Sequence, residues 1–186
     1  MTFKEVKDLI KGDLYRYTGG GKFFKSILLV PGFKYMCVWR LLQYTGSHKA
    51  FFIFDVLLKI KLTLMQRHYG IQIPRNTKIG KGFYIGHYGT IVINEAAIIG
   101  DNVNISHGVT IGQANRGKRI GAAIIGNQVY IGPGAKIIGK VVIGNNVAIG
   151  ANAVVTHDIP NDACVGGIPA KIISMNGAEN YINRTV

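Results

Sequence analysis

From Ile73 onward the chain repeats itself every six residues. Aliphatic side chains stand at Ile73, Ile79, Ile85 and Ile91, then, after a two-residue slip, at Ile99, Ile105 and Ile111. A longer interruption follows, and the register resumes at Ile125, Ile131, Ile137, Ile143, Ile149 and Val155. Four residues after the aliphatic position comes a small or β-branched one, as at Thr77, Val103, Val109, Val129, Ala135, Val141, Val147 and Ala153. A period of six suits neither an α-helix nor an alternating strand. It is the repeat of a β-helix, in which each hexad is one short strand plus a turn and three hexads close one coil. The two interruptions, around Asn94–Ala97 and over Gln113–Ile120, are expected to project as loops.

Before residue 72 the six-residue period is absent and the apolar positions follow helical spacing. Glu5–Tyr17 is the first expected helix, with Val6, Leu9 and Ile10 on one face. Lys22–Val30 is the second, stopped by Pro31-Gly32, and Phe33–Tyr44 the third. A fourth runs from about His48 to His68, with Ser47 as its cap and Gly70 as its stop. The chain therefore divides into an α-helical N-terminal domain over 1–72, a β-helix over 73–160 with a loop at 113–124, and a C-terminal segment and tail over 161–186. The fold class is mainly β.

Composition narrows the classes. The 25 glycines among 186 residues do not recur every third position, which excludes collagen. A hydrophobic fraction of 48% excludes disorder. Two cysteines exclude a disulfide scaffold and suit a reduced, cytoplasmic protein. The N-terminus has acids and no apolar core of a secretory signal. Phe51–Met65, the most apolar stretch, is 15 residues long and holds Asp55, Lys59 and Lys61. That is too short and too charged to span a membrane, and reads as a buried or interfacial helix. The net charge of +13 is concentrated early, with 12 Lys/Arg against 4 Asp/Glu in residues 1–72. Such an excess suits a phosphate-bearing small molecule, a nucleic acid or an anionic membrane. No basic helix with interleaved aromatics occurs, so no nucleic-acid partner is expected. Outward threonine arrays, which a structural or ice-binding solenoid would need, are absent.

Two histidines share one phase of the repeat. His87 lies two residues after Ile85 and His107 two after Ile105, one coil apart on the same face. Their Cα atoms are expected to stack at about 5 Å, the spacing of neighbouring strands. Histidine titrates near neutrality, which suits a general base. Stacked histidines also resemble the zinc sites of γ-class carbonic anhydrases. That site needs a third histidine, none falls suitably in the repeat, and no metal is expected.

The repeat resembles that of the hexapeptide-repeat acyltransferases, whose parallel β-helix is left-handed. Within that superfamily the chain is similar to the serine acetyltransferase family over nearly its whole length. The resemblance rests on Asp13-Leu14-Tyr15-Arg16-Tyr17, Pro31-Gly32-Phe33, the runs Gly86–Glu95 and Val109–Gly112, Gly132–Lys136, and Gly167-Ile168-Pro169-Ala170-Lys171. It implies acetyl-CoA as donor and L-serine as acceptor, on the route to cysteine. It further implies a homotrimer or dimer of trimers, with active sites between subunits. His87 falls at the family's catalytic histidine and Glu95 at an active-site glutamate. Lys171 matches a position that commonly meets the CoA nucleotide, and Gly134, Ala135 and Lys136 lie where backbone and cation follow the pantetheine arm. His107 is expected to wall the acceptor site, and Arg116 and Arg119 to meet an anionic group.

The chain also departs from the family. An Asp-His pair is replaced by Gly86-His87, the aspartate that orients the histidine falls at Gln72, and a later Arg-His pair aligns with Gly121-Ala122. A histidine like His107 occurs in polysaccharide O-acetyltransferases, so a sugar hydroxyl is the alternative acceptor. The family's tail, which meets cysteine synthase, ends in isoleucine, whereas this one ends Asn183-Arg184-Thr185-Val186.

Overall fold

The computed structural model describes residues 1–186. The N-terminal third forms four helices: α1 (Phe3–Thr18), α2 (Phe23–Leu29), α3 (Pro31–Gly46) and α4 (Phe52–Tyr69). α1 opens on a reciprocal cap between Thr2 and Glu5. α4 ends on Gly70, in the left-handed conformation that closes many helices. Two expectations are corrected. α2 stops just before Pro31, as expected, but α3 begins at Pro31 itself rather than at Phe33, in a first turn where the missing N–H leaves no bond unmade. Ser47 does not cap α4. Its hydroxyl donates to Gln43 O at 3.1 Å, finishing α3, and a 3-10 turn over Lys49–Phe51 leads into α4.

The rest is a three-faced parallel β-helix. The first face stacks Ile71–Gln72, Ile91–Ile93, Thr110–Gly112, Lys136–Ile138 and Val154–Val155. The second stacks Lys78–Ile79, Ile98–Ile99, Ile124–Ile125 and Val142–Ile143. The third stacks Tyr84–Ile85, Asn104–Ile105, Tyr130–Ile131, Ala148–Ile149 and Cys164–Gly166, and the antiparallel strand Lys171–Ser174 closes it. Parallel pairing thus runs from Ile71 to Val165, beyond 73–160 at both ends. Every aliphatic of the six-residue column is buried, and the small residues four positions on are fully buried. The glycine phase has a steric cause: a Cβ at Gly100 would lie 2.6 Å from the carbonyl oxygen of Gly126 in the next coil.

The two-residue slip lies elsewhere than the spacing suggested. Ile71 pairs with Ile91, and Ile93 with Ile111, while Ile85 still pairs with Ile105. The extra residues therefore fall between Ile85 and Ile91, and Asn94–Ala97 is a regular turn. Ile91 and Ile93 are both buried, so either can pass for the column member until strand pairing chooses.

The helices cap the first coil, whose edge would otherwise expose unpaired backbone. Phe83 N donates to Asp13 Oδ1 at 3.0 Å, and Ile85 N donates to the Tyr17 hydroxyl at 2.8 Å. Arg40, fully buried, pairs with Asp13 at 3.1 Å and donates to Ile79 O at 2.7 Å. At the other end, residues beyond Ser174 return along the third face. Tyr181 stacks on Tyr130 at 4.4 Å, and the Asn102 side-chain amide accepts from Val186 N at 2.9 Å and donates to Val186 O at 3.0 Å.

Candidate active site

The corner between the third and first faces carries both histidines. Gly86 N donates to Ile105 O at 3.1 Å, and Gly108 N donates to Gly89 O at 2.8 Å. Between those two bonds, residues 87–89 of one coil stand opposite His107 alone in the next. The bulge is the slip described above, so the irregular turn is the one that bears His87. Gly89 (φ 120°) and Thr90 (φ 53°) bring the chain round it. The imidazoles of His87 and His107 meet edge to face, with centroids 6.0 Å apart and planes at 79°. Both side chains are exposed. None of the four ion pairs in the chain involves a histidine, so no carboxylate orients His87 from within it.

Gly86 differs from the glycines of the repeat column. A Cβ there would meet only the Tyr84 ring, at 3.1 Å, and no backbone. Packing does not demand glycine at the position where the resembled family has aspartate. Gln72, at the other lost aspartate, sits exposed on the first face beside Val92 and supplies no charge.

The residues expected along CoA lie on this corner. Gly134 N donates to His107 O at 2.9 Å, and the Lys136 ammonium donates to Gly108 O. Ala135 is buried in the core, so only its backbone can face a ligand. Strand register continues the corner column from His107 through Pro133 and Ala151 to Gly167. Those three residues are small and leave the corner open for an extended chain. Lys171 follows at its far end, exposed, on the strand that pairs with Gly166. At the usual strand spacing His87 and Gly167 are about 19 Å apart.

Glu95, Arg116 and Arg119 lie on a different corner, between the first and second faces. Glu95 is exposed and accepts from Asn76 Nδ2 at 2.6 Å. Ala114 and Gly121 exchange two 3.0 Å backbone bonds, making the interruption a hairpin with Arg116 exposed near its tip. Arg119 is already engaged: it grips Asp158 at 2.7 and 3.3 Å and donates to Lys140 O at 3.2 Å. Its hydrogen bonds, joined by that of Val142 N–H, hold the Asp158 carboxyl below the usual carboxylate range. Within one chain these three residues do not reach the histidines. The cavities lined by α1, α2 and α4 do not reach them either. No three His, Cys, Asp or Glu side chains converge as metal ligands.

Sequence reasoning missed the supports of the histidine turn. Tyr17 both accepts from Ile85 N and donates to Ile85 O (3.3 Å), two residues before His87. Gly32 presses α3 against the same strand end, where a Cβ would lie 2.5 Å from Ile85 O. Both residues belong to segments that carried the family resemblance. Their spacing in sequence gave no sign of what they touch.

Comparison with known proteins agrees with this architecture. Residues 122–157 match the family model described as bacterial transferase hexapeptide (six repeats). The chain is 37% identical over 151 residues to a serine acetyltransferase of Helicobacter pylori, covering 81% of this chain and 86% of that one. It superposes on a Neisseria gonorrhoeae serine acetyltransferase in complex with serine at TM-score 0.74 and 27% identity, over 92% of this chain and 70% of that one. A Brucella abortus serine acetyltransferase in complex with coenzyme A gives TM-score 0.73 and 29% identity, over 92% and 67%. With these matches the β-helix is of the left-handed kind.

Proposed function

The chain belongs to the serine acetyltransferase family, and from that membership we propose that it moves the acetyl group of acetyl-CoA to the hydroxyl of L-serine. One observation carries the reading: His87, raised on a bulged turn over His107, heads an open corner of small residues that ends at Lys171. Neutral His87 takes the hydroxyl proton as the serine oxygen attacks the thioester carbonyl, then returns it to the departing sulfur. Both substrates are held together, so no covalent enzyme intermediate is needed. The backbone of Gly134 and Ala135 and the Lys136 ammonium line the pantetheine arm, and Lys171 meets the nucleotide phosphates. His107 walls the acceptor side.

The site is completed between subunits. Glu95 and Arg116 sit one corner away from the histidines of their own chain, and a trimer around the β-helix presents that corner of one subunit to the histidines of the next. Arg116 then faces the acceptor carboxylate. Arg119, spent on Asp158, holds the hairpin that carries Arg116. Dimers of trimers are compatible with this arrangement. No helix is long and apolar enough to cross a membrane, and we place the enzyme in the cytoplasm, where acetyl-CoA is made. A cysteine synthase that takes the tail must first displace Tyr181 and Val186 from the third face.

A sugar hydroxyl is the second reading, favoured by one feature. Gly86 and Gly121-Ala122 leave both positions without the charges that handle a zwitterion. Thiol release from acetyl-CoA, with L-serine and with a panel of sugars, separates the two acceptors. Turnover on serine that His87→Ala abolishes supports the first reading, and turnover on sugars alone supports the second. Mixed oligomers of His87→Ala and Arg116→Ala chains test the shared site, because only a site between subunits regains activity on mixing.

A further inference from the structure

Helix α4 is apolar on two opposite sides. Asp55, Leu58, Leu62, Met65 and Tyr69 form the stripe turned toward α3 and the β-helix. Ile53, Leu57, Ile60 and Leu64, at spacings of four, three and four, form a second stripe, and each is more than half exposed. At 100° per residue the two stripes lie roughly 150° apart, so one helix cannot bury both against its own chain. Phe52 and Phe54, 71% and 63% exposed, widen the outer stripe at its N-terminal end. That width exceeds the narrow seam of a coiled coil.

The rim of this face is basic: Lys34 and Lys61 line one groove with Leu57, Ile60 and Leu64. Between Lys22 and His68 the chain holds eight Lys or Arg and a single acid, Asp55. Asp55 is buried and bound to Thr45, Lys59 and Arg75, so it offers nothing to an incoming cation. Arg40 is consumed by Asp13, which leaves Lys22, Lys25, Lys34, Lys49, Lys61 and Arg67 without an acid beside them. α2 repeats the same chemistry, with Phe24 at 80% exposure between Lys22 and Lys25, and Leu28 at 74% between Lys25 and Lys34. Two copies of such a face would bring unneutralised cations together over an apolar contact. An occupant that is apolar inside and anionic at its surface matches both properties.

We propose that α4, assisted by α2, lies in the surface of an anionic phospholipid bilayer, with Ile53, Leu57, Ile60 and Leu64 among the acyl chains and the lysines at the headgroups. The helix spans about 27 Å along its axis and lies in the membrane plane; it does not cross. The β-helix and its histidine corner remain in the aqueous phase. An enzyme so placed works at the cytoplasmic leaflet without a spanning segment, and an oligomer multiplies the weak contact of each chain.

Sedimentation of the full-length protein with vesicles tests this. The vesicles are phosphatidylcholine alone, or phosphatidylcholine mixed with phosphatidylglycerol. At low salt at least tenfold more protein is expected to pellet with the mixed vesicles, with most of it released at roughly 0.5 M salt. The double substitution Leu57→Glu/Ile60→Glu is expected to abolish pelleting. Both side chains point to solvent, so the circular dichroism spectrum and thermal midpoint of the variant should match the parent. Absence of pelleting with either vesicle overturns the proposal. So does pelleting that ignores phosphatidylglycerol or the substitution. A variant that lowers the oligomeric state, with a parent that ignores vesicles, assigns the face instead to a second copy.

Discussion

The hydroxyl of Tyr17 accepts the amide proton of Ile85 at 2.8 Å, joining the end of α1 to the strand that presents His87 two residues later. Ile85 lies on the first coil, where no earlier strand of the third face can take that proton. Tyr17→Phe keeps the ring and leaves a buried N–H unpaired. The expected cost is about 1–3 kcal/mol, read as a lower midpoint in chemical denaturation. A fall in turnover larger than the fall in acetyl-CoA affinity would show that the turn bearing His87 has shifted.

His87→Ala is expected to lower kcat by about 10²–10⁴-fold, the usual range for loss of a positioned base. Acetyl-CoA binding, measured by calorimetry, should persist, because Gly134, Lys136 and Lys171 do not depend on the imidazole. Joint loss of binding and turnover would count against His87 as the base. His107→Ala should chiefly raise KM for the acceptor.

Gly86→Asp should fold normally. Its Cβ meets only the Tyr84 ring, whose far edge can yield, whereas the same change at Gly100 drives a side chain into Gly126 backbone. A thermal midpoint within a few degrees of the parent for Gly86→Asp, against a large loss for Gly100→Ala, is the expected contrast. If serine is the acceptor, the added carboxylate should also lower KM for serine.

Asp158 fastens the hairpin through Arg119, and its pKa in the folded chain lies below the ordinary 3.8. A depressed carboxylate stabilises the folded form above its unfolded pKa, and that contribution is lost as pH falls through the folded value. The clasp is therefore complete at neutral pH and opens only in acid below the ordinary value. Asp158→Asn should imitate the acid form at pH 7. Faster trypsin cleavage after Arg116 and Lys118 in that variant is the measurement.

Burial pushes the Cys37 thiol up to about 12. It should not react with a disulfide reagent in the native protein at pH 8, and should do so after denaturation. Cys164, half-buried, donates its Sγ proton to Gly177 O at 2.9 Å on the returning tail. Truncation before Gly177 should expose it, which a doubled labelling rate would report.

Much of this molecule was legible from its order of residues. Burial inside a solenoid recurs with the period of the chain itself, so Ile73 through Val155 identified the coil, its core and its glycine phase without a partner being known. The same period put His87 over His107. What it left open were choices between equivalent apolar residues and contacts between distant segments. Ile91 and Ile93 are both aliphatic and both buried, so only pairing with Ile71 and Ile111 moved the slip from Glu95 to the turn of His87. Spacing likewise gave Arg119 a free charge, and only the fold brought Asp158, 39 residues away, against it. Tyr17, Gly32 and the two-sided face of α4 follow from where the helices settle on the first coil. Those positions are set by long-range packing, which no local period records.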